Sequence, residues 1–158
     1  MVKKKKISFG DNDLHRLAIK YGDPKIKPKR VKLESLSSLT KKLDKIFSEW
    51  IRRKDADFMG NNYCYTCKKP LHWKQLQCGH YISRRHYSTR WFDENCKPQC
   101  AGCNIFNQGN SPSFALHLMS DYGKDHLEKL DKFKNKNVKY SREDYILLIQ
   151  EFTELLNA

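Results

Sequence analysis

At 158 residues, with 39% hydrophobic and 12% aromatic side chains, the chain suits one domain with appended elements and a modest core. Lys and Arg number 31 against 18 Asp and Glu, and the net charge of +13 points to a polyanionic partner, nucleic acid before an anionic membrane surface. No apolar run approaches the roughly 18 residues of a membrane span, and the lysine-rich start "MVKKKKISFGDND" has no apolar segment behind it, which argues against a secretory leader. The chain is therefore expected to stay in the reducing cytoplasm, with cysteines serving as thiols or metal ligands rather than disulfides.

In chain order, residues 1–37 read as a basic, largely flexible arm, with "KKKK" and "KIKPKRVK" clusters and few large apolar residues. A short helical turn near Leu14–Ile19 is compatible with it. The lysine run fits a phosphate-binding arm as well as a nuclear address. Residues 38–60 predict an amphipathic helix, with Leu39, Leu43, Ile46, Phe47, Trp50 and Ile51 on one stripe and Ser37 or Ser38 as N-cap. Residues 61–110 hold all six cysteines and three of the six histidines, with short β-like runs such as "LQCGHYIS". Residues 111–158 predict three helices. The first has Ser111 as N-cap and Pro112 at the first helical position and stops at Gly123; the second covers "KDHLEKLDKF"; the third has Ser141 and Asp144 in capping-box spacing. Its apolar positions are Ile146, Leu147, Ile149, Phe152, Leu155 and Leu156. These helices are expected to pack on one another and on the first helix.

Cys64-Tyr-Thr-Cys67 and Cys100-Ala-Gly-Cys103 are two CxxC knuckles. A two-residue gap lets both thiolates of a knuckle face one ion, and two knuckles complete a closed, structural four-cysteine zinc site. Residues 68–99 between them are long enough for an inserted β-hairpin. A thioredoxin-like redox pair is the rival, but neither CxxC sits in a βαβ unit. Cys78 and Cys96 default to small buried thiols, with Cys96 as an alternative zinc ligand.

The ordered set "CYTC", "QCGHYISRR", "RWFDENCKPQCAGCN" and "QGN" resembles the HNH, or ββα-metal, nucleases, and within them the phage NinG/Rap recombination nucleases that act on branched DNA such as Holliday junctions. The resemblance covers roughly residues 40–125. It implies an α+β fold: a zinc-stapled ββα-metal module at 61–110, flanked by helices and mainly α outside the central hairpin. It further implies a metal-dependent DNA endonuclease leaving 5′-phosphate and 3′-hydroxyl ends, and the host cytoplasm for a phage-encoded chain. By position, His80 would be the general base, Asn95 the residue that holds the loop and orients it, and Asn104 the last member of an H-N-N variant. Asn104 would also offer its oxygen to a catalytic Mg2+ or Mn2+, a hard cation that prefers oxygen ligands. Gly79 stands where many relatives have a metal ligand. Gln77 stands where NinG-like sequences place an acid, so His72, Asp93 and Glu94 are candidate substitutes.

Histidine suits the base role because its ordinary pKa near ~6.5 lets it accept a proton at neutral pH. Arg84, Arg85, Arg90, His86 and Lys97 are the expected DNA contacts, arginine's planar fork matching phosphate oxygens. His86 is alternatively a solvated residue, Asn104 a helix cap, and Asn110 a turn residue. Trp73 and Trp91 are expected to cover the hairpin core rather than stack on bases. The competing function is a zinc-stapled DNA-binding protein without catalysis. A two-fold junction would suit a homodimer.

Overall fold

The structure, a computed structural model, describes residues 33–158. Most of the expected basic arm, including the turn near residues 14–19, lies outside them. Helix α1 spans Leu36–Arg53. Strands β1 (Asn61–Tyr63) and β2 (Pro70–His72) form one antiparallel hairpin, and β3 (Leu76–His80) and β4 (Cys96–Cys100) form a second. A π-type turn at Gly102–Phe106 follows, then α2 (Ser111–Tyr122), α3 (His126–Lys134) and α4 (Arg142–Asn157). The class is mixed α and β, with two small hairpins and helices outside them. No helix among the described residues is long and apolar enough to cross a membrane.

Helix α1 starts two to three residues earlier than the serine pattern predicts. Ser35, in extended backbone, is the N-cap, and its hydroxyl accepts from the Ser38 amide at 3.1 Å. The helix also ends at Arg53 rather than running to 60. Asp57 explains the early stop: its carboxylate accepts the amides of Met59 and Asn61, offering the backbone a turn in place of the helix. Gly60 completes that turn at φ +82°.

The expected stripe does form the core. Leu39, Leu43, Phe47 and Ile51, spaced by four, are buried on one face of α1, each contributing roughly 1.5–3 kcal/mol through burial. They meet Tyr145 and Phe152 of α4 on one side and Trp91 and Cys96 on the other, so α1 lies between α4 and the second hairpin. Trp91 is thus core, as expected, though of this main cluster. Trp73 is half-buried, with the guanidinium groups of Arg52 and Arg53 over its ring at 5.2 and 5.4 Å.

The C-terminal region differs from expectation in three respects. Only α4 joins α1. Helices α2 and α3 pack on each other through Phe114, Leu118 and Leu130, sealed by Tyr65, Tyr81 and Ile82. On α4 the capping box at Ser141 and Asp144 is present, but the face it buries is Tyr145 and Phe152 with Leu148 and Ile149. Ile146, Leu147 and Leu155 are exposed. A helix as hydrophobic as this one offers more than one apolar stripe, and the partner chooses among them. At α2 the N-cap position is Asn110, at φ +48°, with Ser111 already helical; Gly123 closes the helix at φ +90°, its amide donating to the Met119 carbonyl.

Candidate active site and metal centres

The first knuckle is the turn of the β1–β2 hairpin. The Cys64 amide donates to the Lys69 carbonyl, and the Lys68 amide donates back to the Cys64 carbonyl at 2.8 Å. Lys68 adopts φ +60° to make that reversal. The second knuckle leaves the end of β4, and the Tyr65 amide donates to the Pro98 carbonyl at 2.7 Å, locking the two knuckles together. As a result the four sulfurs of Cys64, Cys67, Cys100 and Cys103 lie within 4.8 Å of one another.

The donor set fits one tetrahedral zinc ion. Burial opposes ionisation of Cys64, but the amides of Cys67, Cys100 and Thr66 and the Thr66 hydroxyl outweigh it and bring its pKa to about 6. At Cys67 the Lys69 amide lowers the pKa, yet burial and the thiols of Cys64, Cys103 and Cys100 push it up to about 12. One thiolate forms readily and opposes the others; four of them at this distance call for a cation.

His80 ends β3. Its Nε2 lies 3.0 Å from the Arg90 carbonyl. A carbonyl only accepts, so that nitrogen carries the hydrogen and Nδ1 keeps the basic lone pair. Burial lowers the His80 pKa, and the Arg84 charge adds to this; the carbonyls of Arg90 and Cys78 and the Asp44 carboxylate pull the other way. The net direction favours the neutral imidazole.

Asn95 is fully buried and holds the 81–95 loop at its neck. Its Oδ1 accepts the Ile82 amide at 2.7 Å, and its Nδ2 donates to the carbonyls of Ile82 and Thr89. Asn104, from the π-type turn, donates Nδ2 to Gln77 Oε1 at 2.7 Å. Gln77, His80 and Asn104, three of the expected residues, line one open cleft of about 770 Å3, together with Arg84, Arg52 and Gln108.

That cleft does not fit a resident Mg2+ or Mn2+. No Asp or Glu lines it, Gln77 Oε1 is taken by Asn104 Nδ2, which leaves Asn104 Oδ1 as the one open oxygen of the pair, and two guanidinium groups share the space. Hard divalent cations are held chiefly by carboxylates and substrate phosphates. The proposed substitutes lie elsewhere: His72 Nδ1 accepts the Lys74 amide, Asp93 pairs with Lys54 at 2.5 Å, and Glu94 pairs with His126 at 3.5 Å. Gly79 cannot be replaced by a ligand either, because a Cβ there would sit 2.0 Å from Gln99 Oε1.

The geometry accompanies a family relationship. The family described as bacteriophage lambda NinG protein matches residues 3–158. The chain belongs to the NinG family. No curated protein and no solved structure matches it.

In this NinG protein the expected DNA contacts divide. Arg84 and Arg85 are exposed. Arg90 instead grips Asp44 through Nε and Nη2 and donates Nη1 to the Arg84 carbonyl. His86 Nδ1 is 3.1 Å from the Lys134 carbonyl, tying the loop to α3. Lys97 is buried, its Nζ 2.5 Å from the Tyr122 hydroxyl; as its neighbours on β4 alternate faces, it points away from Cys96 and into packing against α2. Cys96 is fully buried, and burial beside the Cys78 thiol holds its pKa well above the ordinary thiol value.

Three residues that sequence reasoning missed complete the site. Asp44 anchors the loop, Arg52 puts a second positive charge on the cleft, and Gln99 braces its floor by donating Nε2 to Thr66 Oγ1 and to the Gly109 carbonyl. Only Asp44 left a signal, as an acidic residue beside an apolar stripe.

Proposed function

We propose that this NinG-family protein is a DNA endonuclease of the HNH type, stapled by a structural zinc at Cys64, Cys67, Cys100 and Cys103, with His80 as general base. The observation that supports this reading is a desolvated His80, fixed by a carbonyl on Nε2, at the wall of a cleft that also carries Arg84 and Arg52. In it, His80 takes a proton from a water, the water oxygen attacks phosphorus as the bond to the 3′ oxygen breaks, and the departing 3′ oxygen takes a proton from solvent. The two guanidinium groups meet the charge on the nonbridging oxygens. No step is assigned to Mg2+ or Mn2+, which the cleft lining does not fit. Selectivity for branched recombination intermediates rests on the family likeness, and a homodimer would match a two-fold junction.

A second reading is a DNA-binding protein without catalysis, and the lack of a carboxylate in the cleft favours it. One assay separates them: linear, nicked, forked and four-way DNA incubated with Mg2+, with Mn2+ and with chelator. Cutting that disappears in His80→Ala while DNA binding persists supports the nuclease; equal cutting by that variant overturns it. Salt-sensitive binding with no nicking under any condition establishes the second reading.

A further inference from the structure

Three soft donors meet on one face of the second hairpin. Cys78 and His80 are two residues apart on β3, which points both side chains to the same side. Cys96 pairs directly with His80 across the ladder. One ligand atom from each lies within 4.8 Å of the other two, and none of the three belongs to the four-cysteine cluster. Cys78 packs against the main core. Beside it a cavity of about 80 Å3, lined by Asp44, Phe47, Ser48, Cys78, His80 and Arg84, gives a small ion room to enter.

The donors of this trio differ from the other groups of the cleft, although Cys78 and His80 border both spaces. Two guanidinium groups and no carboxylate disfavour a hard cation there, whereas two sulfurs and an imidazole are a set that zinc takes, with a fourth position left for water. The ligands stand on paired strands, which fixes their spacing better than a loop does. His80 Nε2 and Cys96 Sγ both lie against the Arg90 carbonyl, at 3.0 and 3.6 Å, so one backbone oxygen brings two of the three donors together. Asn95 Nδ2 points a donor at Cys96 Sγ from 3.9 Å.

We propose that Cys78, His80 and Cys96 form a second soft-metal site, separate from the four-cysteine cluster, that takes Zn2+ and ties up the His80 imidazole. Binding converts both thiols to thiolates, releases their two protons to solvent, and uses the lone pair of one His80 nitrogen; nothing is oxidised or reduced. Its consequence rests on the reading of His80 as base: a cation on either ring nitrogen leaves the hydrogen on the other, so no lone pair remains for proton abstraction and zinc loading turns cleavage off.

The test uses the full chain, first loaded with zinc to fill the four-cysteine cluster, then titrated with Zn2+ and, in parallel, with Co2+, whose sulfur-to-metal absorption reports thiolate ligation. Wild type should take one further cation per chain, with sulfur ligation, and should release protons as it does so. Cys78→Ala should weaken that step by at least the ~100-fold that even outer-shell changes can cost. Cys96→Val, which keeps buried volume, serves if Cys78→Ala does not fold. Wild type that takes no further cation overturns the site, as does a folded variant that takes it equally well. Cleavage is compared within each protein, with and without the second cation. It should fall in wild type far more than in the variant, and a second cation that leaves wild-type cleavage unchanged overturns the tie to His80. If no sample cuts DNA, the nuclease reading fails while the titration still decides the site; if the singly loaded protein cuts and binds nothing more, the site fails and the nuclease reading stands.

Discussion

Asp44 of α1 holds the guanidinium of Arg90 with both carboxylate oxygens, at 2.9 Å to Nε and 2.5 Å to Nη2. The same carboxylate accepts the Trp91 indole N–H at 2.9 Å, and the Arg90 carbonyl is the group that orients His80. One acidic side chain on a helix therefore sets the backbone that sets the imidazole. Asp44→Ala strands a half-buried guanidinium and an indole donor, and is expected to cost about 1.5–3 kcal/mol. Urea denaturation measures it. Cleavage should drop as well, and Asp44→Ala with unchanged stability would mean that the clamp contributes nothing in solution.

Gly79→Ala should destabilise the protein by about 1–3 kcal/mol, the usual cost of forcing an extra carbon into packed structure. Gln99 cannot move aside freely, because its amide bridges Thr66 and the Gly109 carbonyl. Gly79→Asp should be worse rather than restoring a metal ligand. A melting temperature equal to wild type in Gly79→Ala would show that Gln99 yields easily.

Much of this was readable in advance, and the limits are physical. The α1 stripe, both knuckles and the α4 capping box follow from local spacing, while the grouping of Gln77, His80 and Asn104 came from the family resemblance. Asp44 and Gln99 act across long sequence separations through side-chain hydrogen bonds, which no short window records. Lys97 and Arg90 read as DNA contacts because charge is visible in sequence while burial is not. The choice of Tyr145 and Phe152 over Leu147 and Leu155 depended on α1, an element more than 90 residues earlier.

Stripping zinc with a chelator is expected to unfold the two knuckles, because the small cluster around them is little more than Cys64, Cys103 and Leu76 with Leu71 and Cys100. Gln99 links Thr66 of the first knuckle to Gly109 at the cleft, so amide exchange at Gly109 should accelerate together with that of the knuckles. Full protection at Gly109 in chelated protein would break this link.

Burial lowers the His80 pKa, with Arg84 acting in the same direction. The imidazole therefore stays neutral to a lower pH than a free one, and the acid limb of kcat/KM should fall below ~6.5. Just below that pH the unfolded chain binds the proton that the folded chain refuses, so stability is lost as pH falls toward the folded value. Arg84→Ala should move the limb upward. On the nuclease reading, an acid limb above ~7 in wild type would contradict the burial of His80.

Arg84→Ala and Arg85→Ala should each weaken DNA binding and reduce the slope of log affinity against log salt by about 1. Lys97→Ala should leave that slope alone and lower stability instead, since its ammonium sits over the Tyr122 ring and on its hydroxyl. Filter binding across a salt series, set beside thermal melts, separates the two behaviours.

The neck that Asn95 closes has a consequence for how such a protein can diversify. With Tyr81 and Ile82 bonded to Asn95 by backbone and side chain, the loop tip around Arg84 and Arg85 begins and ends at a fixed gate. Change at Arg85, exposed at the loop tip, leaves the strand register and the His80 pose in place, whereas Arg84 is held through its carbonyl by Arg90 and His86 by the Lys134 carbonyl. On the nuclease reading, affinity for DNA can then be tuned at that tip position with His80 left untouched.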